Sequence, residues 1–238
     1  MKTKDKRVLG WRVLVAFVAL IGLTAVREAR AEDQADQYPN STFVRVLHAI
    51  PDGPKVDVYF DGKKQANDFR FGSLSKYMRL PAGIHRVSVL KNNPSRTLYS
   101  STRRFRLNRF YTVMAYGTPS RPVFRVLDET SGTIHPRLAR LYVSHLSAAA
   151  PPVDIIGRTE GGRWFTLVRG LRYGQTRTLL VRPTDATLYV RARGNTIHTI
   201  GDVELQAGRR YSAFAFGRVG AKGDDKKFQV FLDPSASQ

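Results

Sequence analysis

The run Val44-Arg-Val-Leu-His48-Ala-Ile-Pro-Asp-Gly-Pro54-Lys-Val56-Asp57-Val58-Tyr-Phe60 returns later in the chain as Leu141-Tyr-Val143-Ser-His145-Leu-Ser-Ala-Ala-Ala-Pro151-Pro-Val153-Asp154-Ile155-Ile156. Both keep a His, eight residues and then an Asp, with Pro and Val ahead of the Asp, at an offset of 97. Phe71-Gly72 with Pro81 matches Tyr173-Gly174 with Pro183 at an offset of 102, and Tyr111 to Gly117 matches Tyr211 to Gly217 at an offset of 100. Landmarks repeated in one order mark an internal duplication. Within each copy the apolar residues alternate. Val44, Val46 and His48 share one face of a strand with Arg45 on the other; Val56, Val58 and Phe60 oppose Asp57 and Tyr59; Tyr111, Val113 and Ala115 oppose Thr112, Met114 and Tyr116. That is the two-residue period of a half-buried strand.

Turn chemistry separates these runs. Pro51-Asp-Gly-Pro54, Asp61-Gly62, Pro81-Ala-Gly83, Lys91-Asn-Asn-Pro94 and Ala207-Gly208 all sit between apolar stretches, where Gly and Asn supply positive φ and Pro fixes it negative. No stretch after residue 31 sustains a helical period over ten residues. About seven short strands per copy predict an all-β chain of two tandem immunoglobulin-like β-sandwich domains. The expected boundaries are a signal peptide over 1–31, a flexible lead-in over 32–42, a first sandwich over 43–130, a linker over 131–136 and a degenerate second sandwich over 137–234.

The amino terminus carries an export signal. Lys2, Lys4, Lys6, Arg7 and Arg12 precede the apolar run Val13–Val26, and Ala29-Arg30-Ala31 offers small residues for cleavage. Fourteen apolar residues are fewer than the roughly 20 that span a bilayer. The expected location is therefore outside the cytosol, in periplasm, cell wall or extracellular space, with membrane contact only through an uncleaved signal segment. The chain has no cysteine, which removes disulfides, thiolate chemistry, zinc fingers and iron–sulfur clusters.

Net charge is +20 over 238 residues, and removal of residues 1–31 leaves 32 basic and 17 acidic residues, or +15. Of the 32, 24 are Arg, the residue suited to bidentate contact with carboxylate, sulfate or phosphate. The candidate anion-binding residues are Arg104, Arg106, Arg169, Arg172, Arg177, Arg182, Arg191 and Arg193. Alternation places Arg104 with Arg106 on one face and Arg191 with Arg193 on another, while Arg169, Arg172, Arg177 and Arg182 are expected around the Gly174 turn.

Val44 to Gly62, then Phe71-Gly72 with Leu80-Pro-Ala-Gly83, then Tyr111-Thr-Val with Gly117, resemble the bacterial exported family catalogued as domain of unknown function 4397. The resemblance covers residues 43–130 and is degenerate in the second copy, where Ser147-Ala-Ala-Ala-Pro151 replaces the Pro-Asp turn and Gly157-Arg-Thr-Glu-Gly161 replaces Asp61-Gly62. It implies an extracytoplasmic β-sandwich without an established activity. In layout alone the chain is similar to the periplasmic accessory proteins of alginate O-acetylation.

His48 with Asp57 and His145 with Asp154 are the polar pair kept in both copies. A carboxylate-oriented His serves acid–base catalysis, but Ser144 points away from the His145 face and Leu47 takes its place in the first copy. The pairs are therefore read as structural, each His bonding its Asp to tie down the Pro-rich loop between them, and no catalytic residue is assigned. One His and one Asp fall short of a metal site, so no metal and no cofactor are assigned. His85, His135 and His198 are expected to face solvent. Tyr111 and Tyr211 are read as tyrosine corners, and Phe110, Tyr116, Phe214 and Phe216 as core or interdomain aromatics.

These readings predict a non-catalytic exported binding or structural module whose basic surface contacts an anionic polymer, such as an acidic polysaccharide or teichoic acid. The alternative is an accessory subunit of exopolysaccharide modification or export, acting through an envelope protein partner. Nucleic acid is disfavoured, since no nucleic-acid-binding motif is present.

Overall fold

The computed structural model describes residues 40–92, 96–130 and 135–235. The expected signal peptide, most of the lead-in and most of the linker lie outside the described residues. The first half contains β1 (Ser41–Ala49), β2 (Val56–Phe60), β3 (Lys63–Phe69), β4 (Ser73–Leu74), β5 (Met78–Pro81), β6 (Gly83–Lys91), β7 (Arg96–Phe105), β8 (Phe110–Thr118) and β9 (Arg121–Asp128). The second contains β10 (Ala139–His145), β11 (Val153–Thr159), β12 (Trp164–Leu171), β13 (Thr176–Val181), β14 (Thr184–Ala192), β15 (Asn195–Leu205), β16 (Arg210–Phe216) and β17 (Gln229–Ser235). Among the described residues there is no helix, and hence none long and apolar enough to cross a membrane.

The two halves repeat one topology. In the first, β4 and β5 together flank β1, followed by β8 and β9, in one sheet; β3-β2-β6-β7 forms the other. In the second the orders are β13-β10-β16-β17 and β12-β11-β14-β15. The first strand of each half runs parallel to its neighbour: Val44 pairs with Tyr111 and Leu141 with Tyr211. The expected all-β sandwich architecture is present in both halves, and within it the first two strands of each half, β1 and β2 like β10 and β11, lie in opposite sheets. The Pro-rich connections between them are too long for a tight hairpin and cross the sandwich instead. One correction concerns the lead-in, because β1 begins at Ser41 and both Ser41 and Thr42 are buried.

Alternation fills both sandwiches as expected. Val44, Val46, Tyr111 and Val113 meet Val58, Phe60, Val87 and Phe105 in the first core. Leu141, Val143 and Ala213 meet Val153, Ile155, Leu188 and Val190 in the second. A third core joins the halves. Leu47, Ala49, Met114 and Tyr116, on the outward face of β1 and β8, pack with Leu146, Phe214 and Phe216 of the second half. The central sheets are thus buried on both sides, and the molecule is a stack of four sheets with three apolar seams.

This middle seam has pseudo-twofold symmetry. Phe71 in the first half meets Phe216 in the second, with ring centroids 5.5 Å apart. Its repeat equivalent Tyr173 meets Tyr116, the equivalent of Phe216, at 5.7 Å. Exchanged equivalent contacts of this kind define an isologous interface.

Candidate functional site

Each of the two repeat-related imidazoles is held by main chain. His48 Nε2 donates to the Pro54 carbonyl at 3.1 Å, and Ile50 N–H donates to His48 Nδ1 at 3.3 Å. His145 repeats this with Pro151 and the Ser147 N–H, at 3.1 and 3.3 Å. Burial pushes both imidazoles below their ordinary pKa. The expected His–Asp hydrogen bonds are therefore corrected: each imidazole ties the loop through its main chain and does not bond the Asp. Asp57 and Asp154 have a parallel task in the neighbouring bulge. Asp57 accepts from the Asp68 N–H at 3.0 Å and Asp154 from the Gly170 N–H at 2.7 Å. Asp68 and Gly170 are the positive-φ residues of equivalent irregularities, with φ of 49° and 59°. Burial works against the charge of Asp57, but bonds from Lys64, Asn92 and Asp68 outweigh it and hold the carboxyl below its ordinary range.

The predicted arginines are distributed over the surface. Arg104 is the penultimate residue of β7, exposed and paired with Ile84, but Arg106 lies past the strand, so the two do not share a strand face. Arg191 curls back so that its Nε donates to the Gly194 carbonyl at 3.1 Å, and Arg193, with Gly194, takes positive φ in the β14–β15 turn. They do not project together. Arg169 and Arg177 stand on different sheets either side of the Gly174 turn. Arg182 lies five residues beyond Arg177, about 17 Å along an extended strand, so it does not border that turn. Among the described residues, Arg104, Arg106, Arg169, Arg172, Arg177, Arg182 and Arg193 have no carboxylate partner.

Two other histidines depart from expectation. His85 is buried and its Nδ1 lies 2.5 Å from Asp61, while His198 is half-buried against the Phe228 ring. Tyr111 and Tyr211 do act as corners, accepting the Arg106 and Gln206 N–H groups at 3.1 and 2.9 Å.

The cationic groups that converge on a concavity were not among those singled out. A cleft of about 580 Å³ opens at one end of the first sandwich, lined by His48, Ile50, Pro54, Lys91, Arg96 and Phe124 among others. Its floor is shaped by the His48 clamp. A Cβ at Gly53 would lie 2.8 Å from the His48 ring and 2.9 Å from the Ile50 carbonyl, so the loop closes this tightly only with glycine. Phe124 stacks on Tyr99 with ring centroids 4.1 Å apart, closing the side between the sheets. Lys91 and Arg96 are directly opposed across β6 and β7, and neither has a carboxylate partner among the described residues. The Asp52 carboxylate at the rim is engaged by Arg218 at 2.7 Å. The sequence signal was present in Lys91 and Arg96 flanking one turn, but the parity of individual strands gave it no weight.

The second half supplies an internal comparison. Val56 pairs with Lys91, and the equivalent Val153 pairs with Ala192. Phe228, buried in the second core with Val153, Ala192 and Ala215, fills the corresponding end. The same topology thus carries a cation at this end of the first half and an alanine, in one core with Phe228, in the second. A larger groove, about 1090 Å³, runs along the seam between the halves, where Phe231 and Asp233 belong to the contacts that join them. Among the described residues no cluster of three metal-ligating side chains occurs.

Residues 42–156 match the model of the family described as Domain of unknown function (DUF4397), a span covering the first sandwich, β10 and the start of β11. Among curated proteins none matches the chain. Two solved structures are similar in part. The CBMbc module (family CBM26) of Amy13K from Eubacterium rectale, in complex with maltoheptaose, is 9% identical, with 83% of this chain and 98% of that chain covered at a TM-score of 0.24. A candidate cell adhesion protein from Bacteroides fragilis NCTC 9343 is 11% identical, with 82% and 98% covered at a TM-score of 0.21.

Proposed function

We propose that the protein is an exported, non-catalytic binding module that takes a segment of a carboxylated polymer in the Lys91–Arg96 cleft, with the unpaired surface arginines extending the attraction beyond it. The observation that carries this reading is the like-charged pair. Two cations directly opposed in a ladder destabilise the sheet that holds them, and a carboxylate seated between them turns that repulsion into two charge-assisted hydrogen bonds. The Phe124–Tyr99 stack gives the ligand an apolar wall, as a binding cleft with few convergent polar groups requires. A non-catalytic role is supported by His48 and His145, whose ring nitrogens are both committed to main chain. Export is supported by the amino-terminal sequence pattern.

Calorimetric titration with a hexauronate tests the reading. Lys91→Ala and Arg96→Ala are each expected to weaken binding about tenfold, the loss of one hydrogen bond to a charged group. Affinity is expected to fall steeply between 20 and 200 mM salt. Unchanged affinity in both variants overturns the cleft as the site.

A further inference from the structure

The outer face of the β12-β11-β14-β15 sheet carries a second surface of different chemistry. Trp164 is 55% exposed, the most exposed aromatic side chain among the described residues. Its ring lies 5.3 Å from that of Tyr189, tilted by 41°, and the Arg158 guanidinium sits over it at 5.6 Å. Arg158 and Tyr189 continue into a groove of about 600 Å³, whose rim bears the exposed carboxylates of Glu160, Asp185, Asp202 and Glu204.

The repeat shows that this surface is an addition. Tyr189 occupies the position of Ser88, which in the first half only faces Ser100 across the ladder, oxygen to oxygen at 3.1 Å. Arg158, Glu160 and Trp164 belong to the longer β11–β12 hairpin that replaces the Asp61-Gly62 turn. The longer hairpin fits because Gly157 leaves room for the Phe165 ring, which a Cβ there would strike. Phe165 thus packs against the core and leaves Trp164 on the outer face. The part of the second copy that departs furthest from the repeat is the part that presents the aromatic rings.

We propose that Trp164, Tyr189 and Arg158 form a platform for an uncharged pyranose chain, separate from the anion cleft. The flat C–H face of a pyranose covers an exposed indole with apolar surface, and its equatorial hydroxyls project outward to polar partners, the pattern that amphipathic aromatic rings favour. The four carboxylates accept hydrogen bonds from hydroxyls along the groove, Glu204 beside the one it takes from Gln206, and Arg158 donates to ring or hydroxyl oxygens. With four carboxylates against one guanidinium the groove repels an acidic polymer, so charge sets the two sites apart in ligand.

The test uses the full chain, with cellohexaose, maltohexaose, hexa-N-acetylglucosamine, hexaglucosamine and a hexauronate as separate probes, read by tryptophan fluorescence and calorimetry. At least one uncharged hexamer is expected to shift the emission. Trp164→Phe identifies the reporting ring, since the other tryptophan, Trp11, lies within the expected signal peptide. Trp164→Ala and Tyr189→Ser, the latter restoring the residue of the first half, are each expected to weaken that hexamer at least tenfold. Lys91→Ala is expected to leave it unchanged, so failure of the platform and failure of the cleft are read separately. Absence of binding by every uncharged hexamer, binding of hexaglucosamine alone, or unchanged affinity in both platform variants overturns the proposal.

Discussion

Each half of the chain commits both ring nitrogens of one imidazole to the main chain of a loop. His48 accepts one N–H and donates to one carbonyl of residues 50 and 54, and His145 does the same for residues 147 and 151. Truncation to alanine leaves a buried donor and acceptor unmatched, a cost of about 1–3 kcal/mol, so urea unfolding of His48→Ala is expected to show that loss. The pH dependence has a definite sign. Both imidazoles titrate below the ordinary value in the folded state because burial disfavours their charge. Their contribution is complete above about pH 6.5, the unfolded value, and is lost as pH falls through the folded pKa, because the unfolded chain binds the proton first. Stability is expected to decline below pH 6.5, and less so in a His48→Ala, His145→Ala double variant. The recurrence of His and Asp at one spacing was visible in the sequence and does mark a structural device. The partners were not visible, since a main-chain carbonyl and a main-chain N–H leave no residue-type signature at the positions that supply them.

Among the elements, the β6–β7 ladder is where binding and stability pull against each other. Lys91→Glu converts the repulsive pair with Arg96 into an attractive one, and a gain of about 0.2–1 kcal/mol is expected from cross-strand pairing. The same change is expected to abolish hexauronate binding, so thermal unfolding should improve as calorimetric binding disappears. A variant less stable than the parent contradicts the like-charge argument. Alternation correctly placed Val44, Val46, Val58, Phe60 and Val113 inside, because a strand with one core face leaves a two-residue signature. It placed Arg45 opposite them, also correctly, but left open what that face meets. Leu47, Ala49, Met114, Tyr116, Phe214 and Phe216 make β1, β8 and β16 apolar on both faces, the pattern of strands buried on both sides, and those residues are where the third seam was legible.

At the scale of the whole molecule, Arg45 connects the first strand to the last. It is 2% exposed, bonds Glu129 at 2.8 Å and Asp233, and lies over the Tyr77 ring at 4.5 Å. Burial opposes its charge, but Glu129, Tyr77 and Asp233 outweigh this and raise its pKa. Arg45→Ala leaves the fully buried Glu129 carboxylate without its cation and with the Tyr77 hydroxyl still donating to it, for which about 3–5 kcal/mol is expected. Adding Glu129→Gln is expected to recover part of the loss in urea unfolding. An unchanged double variant would mean that the packing of Arg45 on Tyr77, rather than its charge, holds the seam. The repeat also gives each half an equivalent sandwich end, where the first carries Lys91 opposite Arg96 and the second Ala192 opposite Asn195. A hexauronate titration followed by backbone amide shifts tests the central claim most directly. The account predicts changes concentrated at residues 48–56, 89–92, 96–98 and 115–124, with residues 145–153, 190–198 and 228 still. Shifts centred on the second half, or spread evenly over the exposed arginines, would contradict it.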